Sequence, residues 1–149
     1  MRKTAKDYWF VGIQLVLFLL FALTPSIPQI HLPKFAAPVG LFISIIGLLG
    51  VLLSIFQLSD ALTPYPSPKK DASLKTDGLY RFSRHPIYST ILLFCIGWTI
   101  YSASFSRLFL TVALYALFYF KSNYEEKRLI EVYGEHYLNY KGKTPRFFL

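Results

Sequence analysis

The sequence predicts an all-α fold, a polytopic membrane bundle of four transmembrane helices with a cytoplasmic C-terminal helical extension. The chain has 149 residues, 54% of them hydrophobic, which is too apolar for an ordinary soluble domain of this size. Its apolar residues form continuous runs, whereas strands of a membrane β-barrel show alternating hydrophobicity. The length suggests a single integral membrane domain, residues 1–149.

Four apolar runs mark the predicted spans, at residues 8–23, 35–58, 86–101 and 105–120. A helix needs roughly 20 residues to cross the hydrocarbon layer, so the second run is long enough and the other three are short. Tilt or local thinning of the bilayer can make up such a deficit. Because no small-residue cleavage site follows the first run, we interpret it as a retained span and not as a signal peptide.

The second span carries a stripe of small residues spaced three or four positions apart. Such a stripe lets helix backbones approach closely in lipid, and it predicts a packing face without chemistry of its own. Its members are Gly40, Ser44, Gly47, Gly50 and Ser54.

The fourth helix is predicted to continue past the membrane. No glycine or proline interrupts residues 104–133, and Gly134 follows as a candidate C-cap. A helix of this length extends about 45 Å, more than the roughly 30 Å of the hydrocarbon layer. Its last turns are therefore expected in the cytoplasm.

The distribution of charge predicts topology and partners. The two termini and the linker between the second and third spans hold 14 of the 16 Lys and Arg residues, which predicts cytoplasmic N- and C-termini. The net charge of +8 lies between apolar runs, a pattern that favours membrane lipids over nucleic acid as partners. Cys95 is the only cysteine, so no disulfide forms within the chain, and we expect no metal site.

Two polar clusters, residues 78–88 and 123–128, flank the third and fourth spans. Each lies about 18 residues from the turn that joins these spans, so an antiparallel hairpin places His85 within about one helical turn of Glu125 and Glu126. Taken singly, these groups have plainer interpretations, as anchors at the lipid surface or as a solvated helix face. Their occurrence together favours a site.

The predicted site combines both charges with aromatic side chains. Arg81 and Arg84 precede His85, and Pro86 suits the first turn of the third helix, whose N-terminus favours an anion. An aromatic lining is expected from Tyr80, Tyr88 and Tyr124. Such a pocket suits a zwitterion that carries a carboxylate and a cationic centre, and S-adenosylmethionine is one such ligand.

At these residues the chain resembles the isoprenylcysteine carboxyl methyltransferases and the wider group that includes phospholipid methyltransferases. The resemblance covers the region 78–147. It rests on Gly78-x-Tyr80-Arg81-x-x-Arg84-His85-Pro86-x-Tyr88, on Glu125-Glu126 with Leu129, on Tyr133-Gly134-x-x-Tyr137-x-x-Tyr140, and on Thr144-Pro145-Arg146-Phe147.

The resemblance implies an S-adenosylmethionine-dependent methyltransferase that acts on a lipophilic acceptor at the cytoplasmic membrane face. It implies catalytic roles for Glu126 and Arg81. The residues that it implies bind the cofactor are Arg84, His85, Pro86, Tyr88, Tyr124, Glu125 and Glu126. Ser89 and Thr90 stand where the family typically has a glycine, so the fit of that wall is open.

Two alternatives stay open at this point. Membrane sterol reductases, which use NADPH, carry a related Arg-His-Pro-x-Tyr run, although they commonly have asparagine where this chain has Ile87. A lipid-binding or scaffold protein without enzymatic activity is the other. The sequence does not choose between oxygen, nitrogen and sulfur as the atom that is methylated.

Overall fold

The computed structural model describes residues 4–26, 30–58, 63, 65 and 73–148. Its elements in chain order are α1 (Ala5–Leu23), α2 (Ala36–Leu58), a short 3₁₀ helix (Gly78–Arg81), α3 (Pro86–Ser102), α4 (Phe105–Tyr133) and α5 (Glu135–Lys143). Every regular element within the described ranges is helical, which confirms the all-α prediction. Predicted and observed helix boundaries agree within three residues, and residues 66–70 of the proline- and lysine-rich linker lie outside the described part of the chain.

Helices α1 and α2 are long and apolar enough to cross a membrane, whereas α3, with 17 residues, is shorter. Only 11% and 22% of the most apolar windows of α1 and α2 are buried inside the protein. A core helix of a soluble protein hides most of its apolar side chains, so this exposure fits helices that face lipid. The count of four spans and the cytoplasmic side of the termini stay predictions.

The small-residue stripe of α2 is a packing face, as predicted, and the helix that packs against it is α3. A Cβ atom added at Gly40 would lie 2.5 Å from the backbone nitrogen of Tyr101, and one at Gly47 would lie 2.7 Å from Phe94 Cα. On the facing helix, a Cβ at Gly97 would lie 2.5 Å from the nitrogen of Ser44. The two backbones therefore touch directly, and glycine is the residue that fits.

Helix α4 begins after a tight turn and outlasts the predicted membrane span. Ala103 adopts a left-handed conformation with φ of 46°, and Ser104 caps α4 by accepting a hydrogen bond from the backbone N–H of Arg107 (3.3 Å). The helix runs for 29 residues and ends at Tyr133, as predicted. Gly134 turns the chain with φ of 53°, which favours glycine.

A second helix, α5, follows that turn, and the sequence analysis did not predict it. It has nine residues, of which Tyr137 and Tyr140 are buried. Glu135 in its first turn and Lys141 and Lys143 in its last complement the helix dipole. The helix is too short and too polar for its apolar pattern to stand out, and packing against the rest of the protein stabilises it.

The chain end returns to the start of α3. The backbone N–H groups of Arg84 and His85 donate to the carbonyls of Pro145 (2.9 Å) and Arg146 (3.1 Å). Phe147 is buried in the hydrophobic core beside Leu92 and Phe118. The loop before α3 is thus fixed by residues more than 60 positions away in the sequence.

Candidate active site

A cavity of about 280 Å³ lies between the start of α3, the C-terminal half of α4 and helix α5. This volume is close to the lower end of the range of about 300–1,000 Å³ for ligand pockets. The end of α2 and the linker that follows it close one side. The described residues that line it are Gln14, Ile55, Leu58, Thr63, Ser73, Leu74, Lys75, Tyr80, Arg84, His85, Pro86, Ile87, Tyr88, Lys121, Glu125, Leu129, Tyr133, Tyr137 and Tyr140.

One face of α4 forms the long wall of this cavity. Lys121, Glu125, Leu129 and Tyr133 recur every fourth position, so they lie above one another on successive turns. At about 1.5 Å per residue, the stripe extends roughly 18 Å. Lys121 lies at the end near α1, where it bonds Gln14, and Tyr133 lies at the other end beside α5.

His85 precedes α3 as its N-cap residue, and it reaches Glu125 and Glu126 of α4 as predicted. Its Nδ1 atom lies 3.7 Å from Glu125 Oε2, and its Nε2 atom lies 3.4 Å from Glu126 Oε1. The imidazole is stacked on the Tyr88 ring, with 5.5 Å between centroids and 4° between planes. The helical hairpin therefore brings the two polar clusters together.

Tyr88 connects the cavity wall to the core. Its hydroxyl donates to Glu125 Oε2 at 2.9 Å, and its ring is stacked on Phe118 with centroids 4.7 Å apart. Lys121 Nζ lies 5.3 Å from the Tyr88 ring centroid, within the range of a cation–π contact. Glu125 is thus held at the cavity surface between a phenol and an imidazole.

Glu126 lies behind the wall, although the sequence analysis assigned it both cofactor contact and catalysis. Its side chain is 2% exposed and does not line the cavity. Arg84 Nη2 lies 2.8 Å and Arg146 Nε 3.1 Å from its Oε1 atom, while Lys141 Nζ lies 3.0 Å from Oε2. These three cations and His85 surround Glu126, and we call the five residues the Glu126 cluster. Glu126 is therefore placed to hold the site together.

The Glu126 cluster keeps its carboxylate ionised. Burial alone raises the pKa of Glu126, but hydrogen bonds from His85, Arg146, Arg84 and Lys141 more than offset that effect. The net result is a pKa well below its usual range. A group this acidic does not exchange protons near neutral pH, so it is unsuited to act as a general base there.

Arg84 lines the cavity, but protein acceptors occupy most of its donors. Its Nε and Nη2 atoms donate to Glu126, at 3.0 and 2.8 Å. Its Nη1 atom donates to the carbonyls of Lys141 (3.2 Å) and Thr144. Arg84 therefore joins α4 to the end of α5. It mainly stabilises the cavity wall, since few of its donors remain available to a ligand.

Two predicted site residues lie apart from the cavity. Arg81 is exposed, and its side chain forms no hydrogen bond or ion pair with any described residue. Tyr124 points towards α1, where its hydroxyl lies 2.8 Å from Thr4 Oγ1 and its ring stacks on Phe10. Adjacent residues of a helix point about 100° apart, so Tyr124 and Glu125 face different neighbours.

Lys121 and Gln14 line the cavity and were not predicted as site residues. Lys121 is 1% exposed, and its Nζ atom donates to Gln14 Oε1 at 2.6 Å. Gln14 of α1 therefore bonds a neighbouring helix, α4. The sequence does contain a signal that Lys121 belongs to the site. It precedes Glu125 by four positions and therefore lies on the same face of α4.

The buried Tyr137 hydroxyl has no hydrogen-bond partner within the described structure, and His85 Nε2 has only its 3.4 Å contact with Glu126 Oε1. Unpaired buried groups are rare, and each calls for an explanation such as a bound ligand. Burial raises the pKa of Tyr137, and likewise those of Tyr80 and Tyr140. All three phenols therefore stay protonated near neutral pH and can donate hydrogen bonds.

The comparisons with known proteins agree with this geometry. Residues 35–136 match the sequence model of the family described as phospholipid methyltransferase. Over 77 residues the chain is 32% identical to protein-S-isoprenylcysteine O-methyltransferase of Schizosaccharomyces pombe, covering 51% of this chain and 33% of that protein. Over 92 residues it is 35% identical to methanethiol S-methyltransferase of Pseudomonas deceptionensis, covering 60% of this chain and 33% of that protein.

A likeness of fold covers almost the whole chain. The solved structure of a eukaryotic intramembrane Ras methyltransferase, isoprenylcysteine carboxyl methyltransferase, superposes with a TM-score of 0.70 at 20% identity. The superposition covers 98% of this chain and 53% of that one. The chain thus matches about a third of the length of the curated relatives and about half of that structure.

Proposed function

The chain belongs to the phospholipid methyltransferase family, and from that premise we propose that it is an integral membrane methyltransferase that uses S-adenosylmethionine. The observation that carries the proposal is the cavity wall. A carboxyl group, a buried lysine amine, an imidazole and several tyrosine rings line one cavity. This combination suits a zwitterionic cofactor with a sulfonium centre.

The residues present fit the cofactor. Glu125 is the carboxylate that lines the cavity, so it would hold a positive group or a ribose hydroxyl. The faces of Tyr80 and Tyr88 suit a sulfonium through cation–π attraction. The buried Tyr137 hydroxyl has no hydrogen-bond partner within the described structure, and a polar atom of the cofactor would supply one.

Methyl transfer depends on the positioning of the reactants more than on covalent participation of the protein. When bound, the cofactor supplies an electrophilic methyl group on sulfur. The Glu126 cluster and the Tyr88–Phe118 stack hold the wall rigid, which supports in-line alignment of donor and acceptor. If the acceptor is a thiol or an amine, Glu125 is placed to take its proton, whereas a carboxylate acceptor needs no base.

We propose further that the acceptor is lipophilic and enters sideways from the bilayer. Ile55 and Leu58, at the end of the lipid-facing helix α2, line the cavity, and Ile87 adds a third apolar side chain. An apolar tail can thus stay near α2 while its head group meets the methyl donor. The names of the relatives support two kinds of acceptor, a lipidated cysteine and a small thiol.

The finer topology is part of the proposal, with four spans and both termini in the cytoplasm. It is supported by the charge distribution and by α4, which is about 43 Å long and exceeds the hydrocarbon layer. In a Cys95→Ser background, Asp77→Cys should react only with a membrane-permeable reagent in intact cells. Leu32→Cys should also react with an impermeable one. The reverse pattern would overturn the orientation.

Calorimetry on detergent-solubilised protein tests the cofactor. S-adenosylmethionine should bind with micromolar-scale affinity, about −8 kcal/mol, and NADPH far more weakly. The family match disfavours the reductase alternative, and NADPH binding without S-adenosylmethionine binding would restore it. Glu125→Gln should weaken binding, and the matched control is His31→Ala, an exposed residue before α2.

The acceptor is tested by comparing methyl transfer from labelled S-adenosylmethionine to four compounds in one detergent. These are a prenylated cysteine derivative, the same head group without its lipid, a phospholipid and a small thiol. We expect the lipidated acceptors to react much faster than the free head group. Equal rates for the lipidated compound and its head group would contradict sideways access and favour the small thiol.

A further inference from the structure

The Tyr137 hydroxyl is a buried polar group that stabilises no contact within the described structure. The side chain is 1% exposed and lines the cavity, and its hydroxyl has no hydrogen-bond partner within the described structure. Leaving a buried hydroxyl unpaired destabilises the fold, whereas a phenylalanine would keep the ring packing without that cost. A ligand that accepts a hydrogen bond from the hydroxyl would explain why a tyrosine occupies this position.

Tyr140 provides the contrast one turn further along α5. Its hydroxyl donates to the carbonyl of Tyr80 and lies 3.4 Å from that of Ser83. These bonds dock α5 onto the 3₁₀ helix and the loop before α3. The rings of Tyr137 and Tyr140 are 6.0 Å apart at 72°, so they share one environment. Tyr140 is paired within the protein, and Tyr137 is left to pair with something else.

The position of Tyr137 indicates which ligand it serves. It follows Tyr133, the distal end of the α4 stripe, and the charges of Glu126, Arg84 and Glu125 act on its hydroxyl. The end of α2 is also close to this region, because the backbone N–H of Leu79 in the same 3₁₀ helix donates to Gln57 Oε1 at 2.8 Å. The charged neighbours of the Tyr137 hydroxyl suit the polar cofactor better than the apolar tail of an acceptor.

We propose that α5 forms a wall of the cofactor site and that the Tyr137 hydroxyl donates a hydrogen bond to an oxygen or nitrogen atom of bound S-adenosylmethionine. This inference rests on the proposed function and adds a binding residue to it. Because burial keeps the phenol protonated, it serves as a donor across the neutral range.

The test measures two properties of Tyr137→Phe and Tyr140→Phe in detergent, the melting temperature and the affinity for S-adenosylhomocysteine. Tyr137→Phe should melt no lower than the unaltered protein, because no hydrogen bond within the described structure is lost. It should bind S-adenosylhomocysteine about 3- to 10-fold more weakly, as expected for one hydrogen bond. Tyr140→Phe should melt lower, because it loses the bond to the Tyr80 carbonyl.

Kinetics distinguish the cofactor from the acceptor as the ligand that bonds Tyr137. In Tyr137→Phe, KM for S-adenosylmethionine should rise while KM for the acceptor stays unchanged, and the rise should be the same from about pH 6 to pH 9 because the phenol does not ionise there. An unchanged affinity for S-adenosylhomocysteine, or a change confined to the acceptor, would overturn the inference and leave the proposed function standing. Absence of S-adenosylhomocysteine binding in the unaltered protein would instead overturn the proposed function.

Discussion

The α2–α3 interface and the Glu126 cluster hold the molecule together by opposite means. At the first, Gly40, Gly47 and Gly97 bring two backbones into direct contact, and no charged group takes part. At the second, one carboxylate that is 2% exposed binds Arg84, Lys141 and Arg146. The interface depends on the absence of side-chain volume, and the cluster depends on the presence of a single charge.

This difference predicts how each region responds to substitutions and to pH. The interface lies between apolar helices, where lipid competes with protein for apolar contacts and close approach of small residues decides the association. The cluster lies on the extension of α4, where removing charges from water is costly unless they are paired. We therefore expect the first region to be sensitive to volume and insensitive to pH, and the second to behave in the opposite way.

The largest effect is expected from Glu126→Gln. The amide leaves Arg84 and its neighbouring cations without their counter-charge, and breaking a buried ion pair by removing one partner costs about 3–5 kcal/mol. Because Lys141 is 39% exposed and can turn towards water, we expect the lower end of this range. Denaturant unfolding in a fixed detergent measures the loss of free energy.

The matched control is the adjacent residue. Glu125→Gln alters a side chain that is 25% exposed and lines the cavity, so stability should change by less than about 1 kcal/mol while methyl transfer falls. A stability loss as large as that of Glu126→Gln would show that the two carboxylates do not have the separate roles described here.

The second effect is expected from Gly47→Ala in α2. The new methyl group would press on the Phe94 backbone, which cannot move aside as a flexible side chain can. Overpacking of this kind costs about 1–3 kcal/mol. The control is Gly142→Ala in α5, where a Cβ meets nothing within 4 Å and the better helix propensity of alanine stabilises by up to about 1 kcal/mol. Equal stability of the two variants would argue against close backbone contact.

The third effect is a pH dependence that distinguishes the two regions. The pKa of Glu126 is lowered on folding, so its stabilisation is present above the usual value of 4.5 and is lost as pH falls towards the folded pKa. Each pH unit in that window costs up to about 1.4 kcal/mol per proton, which gives about 1–2 kcal/mol by pH 3.

The Gly47→Ala variant sharpens this measurement. Its damage lies in the uncharged interface, so its stability should fall with pH in parallel with that of the unaltered protein. Converging or crossing curves between about pH 5 and pH 3 would mean that the interface itself responds to protons.

The smallest effect is expected from Arg81→Ala. The side chain is exposed and pairs with no described residue, so stability should change by less than about 0.5 kcal/mol. Affinity for S-adenosylhomocysteine and the rate of methyl transfer should stay within about twofold. A large loss of activity at unchanged stability would return Arg81 to the catalytic role that the sequence suggested.

Much of the fold was predictable because its signals are local. The apolar runs determine where helices form, and Gly134 determines where α4 ends, since glycine adopts the left-handed turn at little cost. The meeting of His85 with Glu125 and Glu126 followed from equal spacing about a tight turn, because helices rise by a constant amount per residue. Helix α5 escaped prediction because a short polar helix has no comparable local signal.

The sequence by itself determined that two acidic residues, a histidine and several tyrosines would gather beside a membrane. Only the tertiary structure decided which of them face the cavity, namely Glu125 and not Glu126, Tyr88 and not Tyr124. The physical reason is that the rotation of α4 about its axis is determined by remote partners. Arg146 and Lys141 bind Glu126, and Thr4 pairs with Tyr124, at sequence separations that no periodic pattern reveals.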